Sequence, residues 1–316
     1  MIEVLGNKAT RYGFGDALLE LGKKNPKIFV LGADTAASVS IDGFAKAFPD
    51  RFINVGIAES NLIGMSAGLA VAGFIPFAAT YGVFASGRPW EQIRTTVCYS
   101  NLNVKIGGSH SGLLVGPDGA THQALEEIAI MRVLPKMKVI VPCDYTETKK
   151  AVMASAYCNG PIYIRYGREN TPIFTKDGDF FEIGKANVLV QGNDVAIIAC
   201  GTLVYEALSA NDILEKKGIK ARVINMHTIK PIDEKAIIAA ASECKAIVTA
   251  EEHQIHAGLG SAVSEVIVKK YPVPVEMVAV NDTFGESDTG SHLMEKFGLK
   301  DVNIVQAAIK ALERKF

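Results

Sequence analysis

The sequence has no Cys-x-x-Cys spacing, no basic run and no acidic tail. Its five cysteines are scattered, so neither a disulfide framework nor a zinc site is expected, and we predict reduced thiols in a cytoplasmic protein. A formal net charge of -1 gives no support for a nucleic-acid partner. The N-terminal stretch MIEVLGNKATRYG has no apolar segment followed by a cleavage site, so it does not read as a signal peptide.

Charged residues are also missing from Ser60 to Gly87, a stretch long enough to span a bilayer. Several glycines and Pro76 interrupt it, however. We therefore predict a small-residue helix followed by the strand FIPFAAT, both buried in an α/β core, and no membrane-spanning helix.

What the sequence does contain is a regular alternation of short apolar runs and longer helical patterns. With 316 residues, of which 48% are hydrophobic, the chain can form two domains with separate cores. Strand-helix alternation predicts an α/β fold with two doubly wound domains and mainly parallel sheets. A segment rich in Pro, Asp and Gly interrupts the alternation and predicts a linker. The expected limits are 1–172, linker 173–187 and 188–316.

Polar residues follow the predicted strands, where doubly wound sheets bind ligands. The first domain places five of them there: Asp34, Glu59, Tyr81, His110 and Arg168. The second domain offers Gly201, His227 and the cluster Glu251, Glu252 and His253.

Each of these residues is ambiguous when taken alone. Glu59 starts an uncharged helix, where a glutamate can simply complement the helix dipole. His110 and His122 flank the glycine-rich loop HSGLLVGPDGATHQ, which fits polar recognition, proton transfer or plain structural hydrogen bonding. No cysteine or third histidine lies nearby, so the spacing is not that of a metal site.

Together the motifs are far more specific. The runs GIAES, TYGVF, GSHSGLLVGPDGATHQ, LPKMKVIVPCD and PIYIRYGREN occur in this order. In this order they resemble the transketolase family, with a pyrimidine-binding domain of the thiamine-diphosphate-binding fold followed by the family's C-terminal domain. The resemblance covers residues 9–316. It implies transfer of a two-carbon ketol unit from a ketose phosphate to an aldose phosphate, in carbohydrate metabolism of the pentose phosphate type.

The resemblance also implies roles for single residues. Glu59 matches the carboxyl group that bonds the cofactor's pyrimidine ring and favours the tautomer able to remove a proton from the reactive carbon; a dry, apolar pocket suits that task. The other expected cofactor contacts are Asp34, Ile57, Tyr81 and Phe84. Gly87 stands where the family often has a third aromatic residue, and Trp90 either compensates or belongs to the core.

The substrate residues implied by the resemblance lie on both sides of the glycine-rich loop. Arginine side chains suit phosphate groups because their planar fork donates two hydrogen bonds. Besides Glu59, catalytic roles are implied for His110 and His122. The expected substrate contacts are Arg11, Ser38, His110, Asp118, His122 and Arg168, whereas Arg88 and Arg165 read as structural or interface residues.

A Gly-Asp-Gly motif of the kind that holds a divalent ion against the diphosphate is missing. We therefore expect a separate N-terminal transketolase subunit to supply the diphosphate-binding domain and its Mg²⁺. Two such pairs would form a heterotetramer, a dimer of heterodimers. Glu251 and Glu252 are candidates for a subunit contact.

Three alternatives stay open at this point. The motif IAES is compatible with a 1-deoxyxylulose-5-phosphate synthase and with the beta subunit of a 2-oxo-acid dehydrogenase. His110 and the phosphate-binding set favour a transketolase over both. A non-catalytic partner subunit that kept the fold would be expected to lose Glu59 and the phosphate-binding residues, and both are present.

Overall fold

The computed structural model describes residues 3–314 of the chain. Within them lie fourteen strands, most of them short and apolar. In chain order they are β1 Gly6–Ala9, β2 Ile28–Gly32, β3 Phe52–Asn54, β4 Ile75–Tyr81, β5 Lys105–Ser109, β6 Lys138–Ile140, β7 Ile162–Arg165, β8 Asn170–Ile173, β9 Asn187–Val190, β10 Val195–Ala199, β11 Ala221–Asn225, β12 Thr228–Lys230, β13 Ile247–Gln254 and β14 Val275–Val280.

The helices fill the intervals between these strands. The α-helices are α1 Thr10–Lys24, α2 Asp42–Ala47, α3 Glu59–Val71, α4 Gly82–Gly87, α5 Trp90–Gln92, α6 Glu127–Arg132, α7 Tyr145–Ala156, α8 Leu203–Lys216, α9 Glu234–Cys244, α10 Leu259–Lys270, α11 Gly290–Lys296 and α12 Asp301–Glu313. Two 3-10 turns, Pro49–Arg51 and Leu113–Asp118, and a π-helical turn, Ile93–Cys98, complete the set.

Two larger sheets form the centre of the molecule. The first has seven strands in the order β12-β6-β7-β5-β4-β2-β3, and the second has five in the order β14-β13-β10-β11-β9. Neighbouring strands run parallel except for β12 beside β6 and β9 beside β11. The predicted α/β class with mainly parallel sheets is therefore confirmed.

The inner strands form where the sequence has continuous apolar runs. Strands β10 and β11 are buried along their whole length, which fits strands covered by helices on both faces. The charge-free stretch from residue 60 to residue 87 contains the predicted helix, α3, and the predicted strand, β4. It ends in α4, which was not predicted. No helix among residues 3–314 is long and apolar enough to cross a membrane.

Four strands were not anticipated from the sequence: β1, β8, β9 and β12. β1 pairs with β8 in a small antiparallel sheet, and β8 ends at Ile173, the first residue of the expected linker. β9 and β12 are antiparallel edge strands of the two larger sheets. All four have only three or four residues and carry polar groups, and their pairing comes from distant parts of the chain, so no local pattern reveals them.

The two large sheets share one apolar cluster. It contains Ile106 and Val139 from the first sheet together with Ile198 and Ile247 from the second, all fully or almost fully buried. Strand β12 adds a direct link because it follows β11 of the second sheet but pairs with β6 of the first. The two halves therefore hold one another through both packing and hydrogen bonds.

Candidate active site

The polar residues singled out in the sequence lie at one edge of the first sheet. Strands β2, β3, β4, β5 and β7 are parallel neighbours or near neighbours, and their carboxyl ends meet at this edge. Asp34, Glu59, Tyr81, His110 and Arg168 each stand at or shortly after such an end. This is the position at which open parallel sheets bind ligands.

Glu59 is the first residue of α3 and is only 5% exposed. The helix that follows carries no further charge, and its N-terminal dipole favours a carboxylate at this place. Arg88 Nη1 lies 2.8 Å from Glu59 Oε1 and forms an ion pair with it. Arg88, expected to be a structural or interface residue, thus contacts the candidate site residue Glu59 directly and holds its carboxyl group.

An aromatic wall lies next to this carboxyl group. The rings of Tyr81 and Phe84 are 5.9 Å apart and nearly parallel, and the Arg88 guanidinium lies 4.1 Å from the Phe84 ring centre. The His122 ring stands edge-on to both aromatic rings, with centroids 5.8 Å from Tyr81 and 5.4 Å from Phe84. Such flat faces suit a planar ligand ring.

Asp34 sits in a strained backbone position, with φ of 61°, shortly after β2. Its own N–H donates to Asn54 Oδ1 at 3.0 Å, and Asn54 Nδ2 donates to Asp34 Oδ1 at 3.3 Å. Asn54 Oδ1 also accepts from the N–H of Gly56, in the turn that leads to α3. Asn54 was not anticipated, although an asparagine two residues before a glycine at a strand end was a usable signal.

His110 is buried against Tyr81, with the two rings stacked at 4.1 Å. Its backbone also has a positive φ, 53°, and its Nδ1 lies 2.9 Å from the Ser109 hydroxyl. Burial, helped by the nearby positive charges of Arg11 and Arg168, lowers the pKa of His110 to about 4. The ring is therefore neutral at pH 7, so one of its nitrogens donates a hydrogen bond and the other accepts one.

The glycine-rich loop between His110 and His122 contains the 3-10 turn Leu113–Asp118. Three of its glycines, Gly112, Gly116 and Gly119, have φ between 73° and 88°, which L side chains rarely adopt. Asp118 at the end of the turn pairs with Arg168, with 3.0 Å between Oδ1 and Nη1. Arg168 Nη1 also donates to the Val115 carbonyl oxygen, so one arginine fixes both the loop and its carboxylate.

Arg11 and Ser38 come together although 27 residues separate them. Arg11 Nη1 donates to the Ser38 carbonyl oxygen at 3.0 Å, and its buried Nε has no hydrogen-bond partner within residues 3–314. Two arginines, Arg11 and Arg168, thus flank His110 and supply the positive charge that a phosphate group requires.

Three further predicted positions differ in their surroundings. Ile57 is 75% exposed, and a Cβ on Gly87 would meet no atom within 4 Å among the described residues, so this side of the aromatic wall is open. Trp90 packs against the apolar core, and its Nε1 donates to the Ile130 carbonyl oxygen at 2.9 Å. These contacts give Trp90 a role in the core.

The cluster Glu251, Glu252 and His253 lies on strand β13 of the second sheet and is buried inside the chain. Glu251 accepts from the N–H groups of Leu259 and Gly260, and Glu252 accepts from Leu114 and Thr202. The expected placement of Glu251 and Glu252 at a subunit contact was therefore wrong, because both carboxyl groups are almost fully buried and bonded within the chain. His253 and His227 are fully buried as well.

The part of the chain that the structure describes, residues 3–314, offers no protein-only metal centre. It contains no group of three or more His, Cys, Asp or Glu side chains placed to hold a metal ion.

Comparison with known families agrees with this architecture. Residues 7–173 match the transketolase pyrimidine-binding domain, and residues 184–304 match the transketolase C-terminal domain. The fold is therefore that of a class of proteins whose family implies thiamine diphosphate, and the chain belongs to the transketolase family.

The similar proteins include separate transketolase chains. A protein of Methanocaldococcus jannaschii named as a putative transketolase C-terminal section is 46% identical over 97% of both chains. A 6-deoxy-6-sulfo-D-fructose transketolase subunit of a Clostridium species is 42% identical over 95% of this chain and 93% of its own. A solved structure of a split-gene transketolase, described as an inactive beta4 tetramer, is 50% identical, with a TM-score of 0.92 over 98% of this chain and 99% of the other.

Longer relatives align only in part. Human transketolase is 36% identical over 96% of this chain but over 49% of its own length. The chain thus spans about half of such a full-length transketolase.

Proposed function

We propose that this chain is the pyrimidine-binding subunit of a two-chain transketolase, which moves a two-carbon ketol unit between sugar phosphates. The observation that carries the proposal is the buried carboxyl group of Glu59 beside the parallel rings of Tyr81 and Phe84. On this proposal the domains keep their expected limits, 1–172 and 188–316, with the linker at 173–187.

The residues present fit the pyrimidine ring of thiamine diphosphate. A flat heteroaromatic ring needs apolar faces and a hydrogen-bonding group at its edge, and the wall of Tyr81 and Phe84 beside Glu59 provides both. Asp34 and Ile57 complete the proposed contacts. When bound, thiamine diphosphate supplies a carbon nucleophile for cleavage of the ketose carbon-carbon bond.

Glu59 orients the ring and exchanges a proton with a ring nitrogen. Its burial excludes water, so a shared proton stays between the two partners. Arg88 keeps the carboxyl group in one orientation, which lowers the cost of forming the hydrogen bond.

The sugar phosphate binds at the other end of the aromatic wall. His110, which is neutral, and His122 can give or take protons at the substrate hydroxyl and carbonyl oxygens, and Asp118 accepts from a hydroxyl group. Arg11, Arg168 and Ser38 bind the phosphate group.

A second polypeptide completes the enzyme. We propose an N-terminal transketolase subunit that holds the diphosphate and Mg²⁺, in a cytoplasmic heterotetramer built as a dimer of heterodimers. The exposed side of α3 supports such a partner, because Asn61, Gly64, Met65 and Gly68 give it an uncharged surface over which another helix can approach closely. The open side at Ile57 and Gly87 agrees with subunit docking. The five cysteines form no disulfide bond within residues 3–314, which agrees with a reducing compartment.

A similar protein favours the same requirement for two different subunits. The solved beta4 tetramer is described as inactive. We expect the present chain to be inactive by itself, since it contributes only one side of the cofactor site.

The test is reconstitution with the candidate N-terminal subunit, thiamine diphosphate and Mg²⁺, assayed with xylulose 5-phosphate and ribose 5-phosphate. Glu59→Gln should lower kcat by about 10²- to 10⁴-fold, the usual contribution of a positioned acid or base. Glu91→Gln is the matched control, because Glu91 is a glutamate near the surface that bonds its neighbours Gln92 and Thr95. Turnover by the chain alone, or near wild-type turnover by Glu59→Gln, would overturn the proposal.

A further inference from the structure

Glu252 is a buried carboxylate whose two oxygens accept hydrogen bonds from two different parts of the chain. It is 2% exposed and lies on β13 of the second sheet. Oε1 accepts from the N–H of Leu114 at 2.7 Å, and Oε2 accepts from the hydroxyl of Thr202 at 3.0 Å. A buried carboxylate is costly unless each oxygen is bonded, so these two contacts account for its presence.

Arg165 of the first sheet provides the balancing charge. Its Nη2 donates to the Glu252 carbonyl oxygen at 2.6 Å, and its Nη1 lies 3.9 Å from Oε2. Glu127 also pairs with Arg165, so the arginine is shared between a carboxylate of each domain. The network links the two halves next to the glycine-rich loop.

The first contact of Glu252 is with that loop. Leu114 is the second residue of the turn Leu113–Asp118, between His110 and His122. A Cβ on Gly112, where φ is 88°, would come within 2.3 Å of the Glu252 carboxyl carbon. The loop therefore rests directly on this carboxyl group, which explains why a glycine is required at that point.

The far end of the loop rests on the same domain. The side-chain amide of Gln123 donates to the Glu286 carbonyl oxygen at 2.9 Å and to that of Gly116 at 3.2 Å. A Cβ on Gly119 would meet the Ser287 hydroxyl at 2.4 Å. The C-terminal domain thus supports both ends of the loop, and at the Leu114 end the support is the charged group of Glu252.

We propose that Glu252 is a positioning residue: by holding the Leu114 N–H it fixes the loop that presents His110, Asp118 and His122 to the sugar phosphate. The inference rests on the proposed function and assigns the C-terminal domain a part in the reaction. A misplacement of about 1 Å at a reacting group can cost on the order of 100-fold in rate, so one such anchor is sufficient to matter.

Glu251 offers a matched control in the adjacent position. It is equally buried, but its oxygens accept from Leu259 and Gly260 at the start of α10, within the C-terminal domain. If both buried glutamates had only a structural role, their replacement by alanine would have equal effects on the loop.

The test compares Glu252→Ala with Glu251→Ala by hydrogen exchange of the full-length chain, read on the peptide that covers residues 111–122. We expect Glu252→Ala to speed exchange of this peptide by about tenfold, as for loss of one hydrogen bond, and Glu251→Ala to leave it unchanged. Unchanged exchange in a folded Glu252→Ala protein, or equal changes in both variants, would overturn the inference. If Glu252→Ala fails to fold, Glu252→Gln is used instead. The glutamine oxygen can still accept from the Leu114 N–H, so exchange of the peptide should rise by less than tenfold.

The second readout is kinetic and uses the reconstituted enzyme. Glu252→Ala should lower kcat/KM for the ketose phosphate by about 10- to 100-fold, with thiamine diphosphate affinity unchanged, whereas Glu251→Ala stays near wild type at equal folded fraction. If the wild-type complex shows no transketolase activity but Glu252→Ala still frees the loop, the proposed function fails and the loop contact stands. If activity is present and the loop is unaffected, the positioning role alone fails.

Discussion

The carboxyl ends of the two large sheets have the same local architecture but differ in how far their polar residues are open to solvent. At the first sheet, Asp34 and Asp118 are exposed and Arg11 and Arg168 are partly exposed, while Glu59 and His110 are buried. At the second sheet, Asn225, Glu251, Glu252 and His253 are all buried. Parallel topology places polar residues at strand ends in both cases. The first sheet end thus combines buried groups with groups open to solvent, whereas the polar residues named at the second are all closed off.

Two histidines make the comparison sharper. His110 and His227 each follow a strand, each is buried, and burial lowers the pKa of both to about 4. The surroundings differ: charged groups, including Arg11, Arg168 and Asp118, act on His110, whereas desolvation alone acts on His227, which stacks on Phe181. A lowered histidine pKa therefore does not by itself identify a functional site; the charged groups around the ring must be considered as well.

The largest expected effect is the loss of unfolding free energy when a buried ion pair, rather than a half-exposed one, is removed. Glu127→Ala leaves Arg165 with a buried charge and one fewer partner, so the free energy of unfolding should fall by about 3–5 kcal/mol. Asp118→Ala breaks the half-exposed pair with Arg168 and should cost about 1 kcal/mol or less. Urea unfolding measures both. Equal losses would show that the buried pair and the half-exposed pair do not differ as described.

An intermediate effect is expected with pH. The folded-state pKa of His227, about 4, lies below the ordinary value of 6.5, so the unfolded chain binds more protons between these values. The contribution of His227 is complete above pH 6.5 and is lost as the pH falls toward 4. Relative to His227→Phe, wild type should therefore lose on the order of 3 kcal/mol of unfolding free energy between pH 7 and pH 4.

The difference in unfolding free energy between wild type and His227→Phe isolates the contribution of His227. Glu147, whose pKa burial raises to about 7, titrates in the same range but is present in both proteins. A difference that does not change between pH 7 and pH 4 would contradict the buried, neutral state. Activity of the reconstituted enzyme should be unaffected by His227→Phe and strongly reduced by His110→Phe.

The smallest effect concerns two asparagines at strand ends. Asn54→Ala should change the free energy of unfolding by about 0.5 kcal/mol or less, because Asn54 is exposed, yet raise the half-saturating thiamine diphosphate concentration several-fold by freeing Asp34. Asn225→Ala should do the reverse, costing about 1–3 kcal/mol by removing a partner of buried Glu147. Calorimetric titration and urea unfolding separate the two. Equal effects on affinity would remove Asn54 from the site.

The inner strands could be predicted because local apolar runs determine them. The runs KIFVLGAD and DVAIIACG, for example, contain β2 and β10. Strand-end position together with the family resemblance then brought the main polar residues to one edge of the sheet.

The features that escaped prediction depend on contacts between distant residues. β12 forms only because β6 lies beside it, and Leu114 lies 138 residues before the carboxyl group that holds it. The ion pair of Arg88 with Glu59 spans 29 residues and follows no helical or strand period. Patterns along the chain carry no information on such pairs. The proposed roles of the site residues remain predictions for the experiments above.

Strand β12 has a consequence for how the chain unfolds. Without it, β6 would present unpaired backbone groups at a sheet edge, which invites pairing with other chains. Since this edge is sealed by a segment from the other half, neither half has a complete sheet or core when released. The two family domains should therefore unfold in one cooperative transition, and a cut between them would expose an aggregation-prone edge.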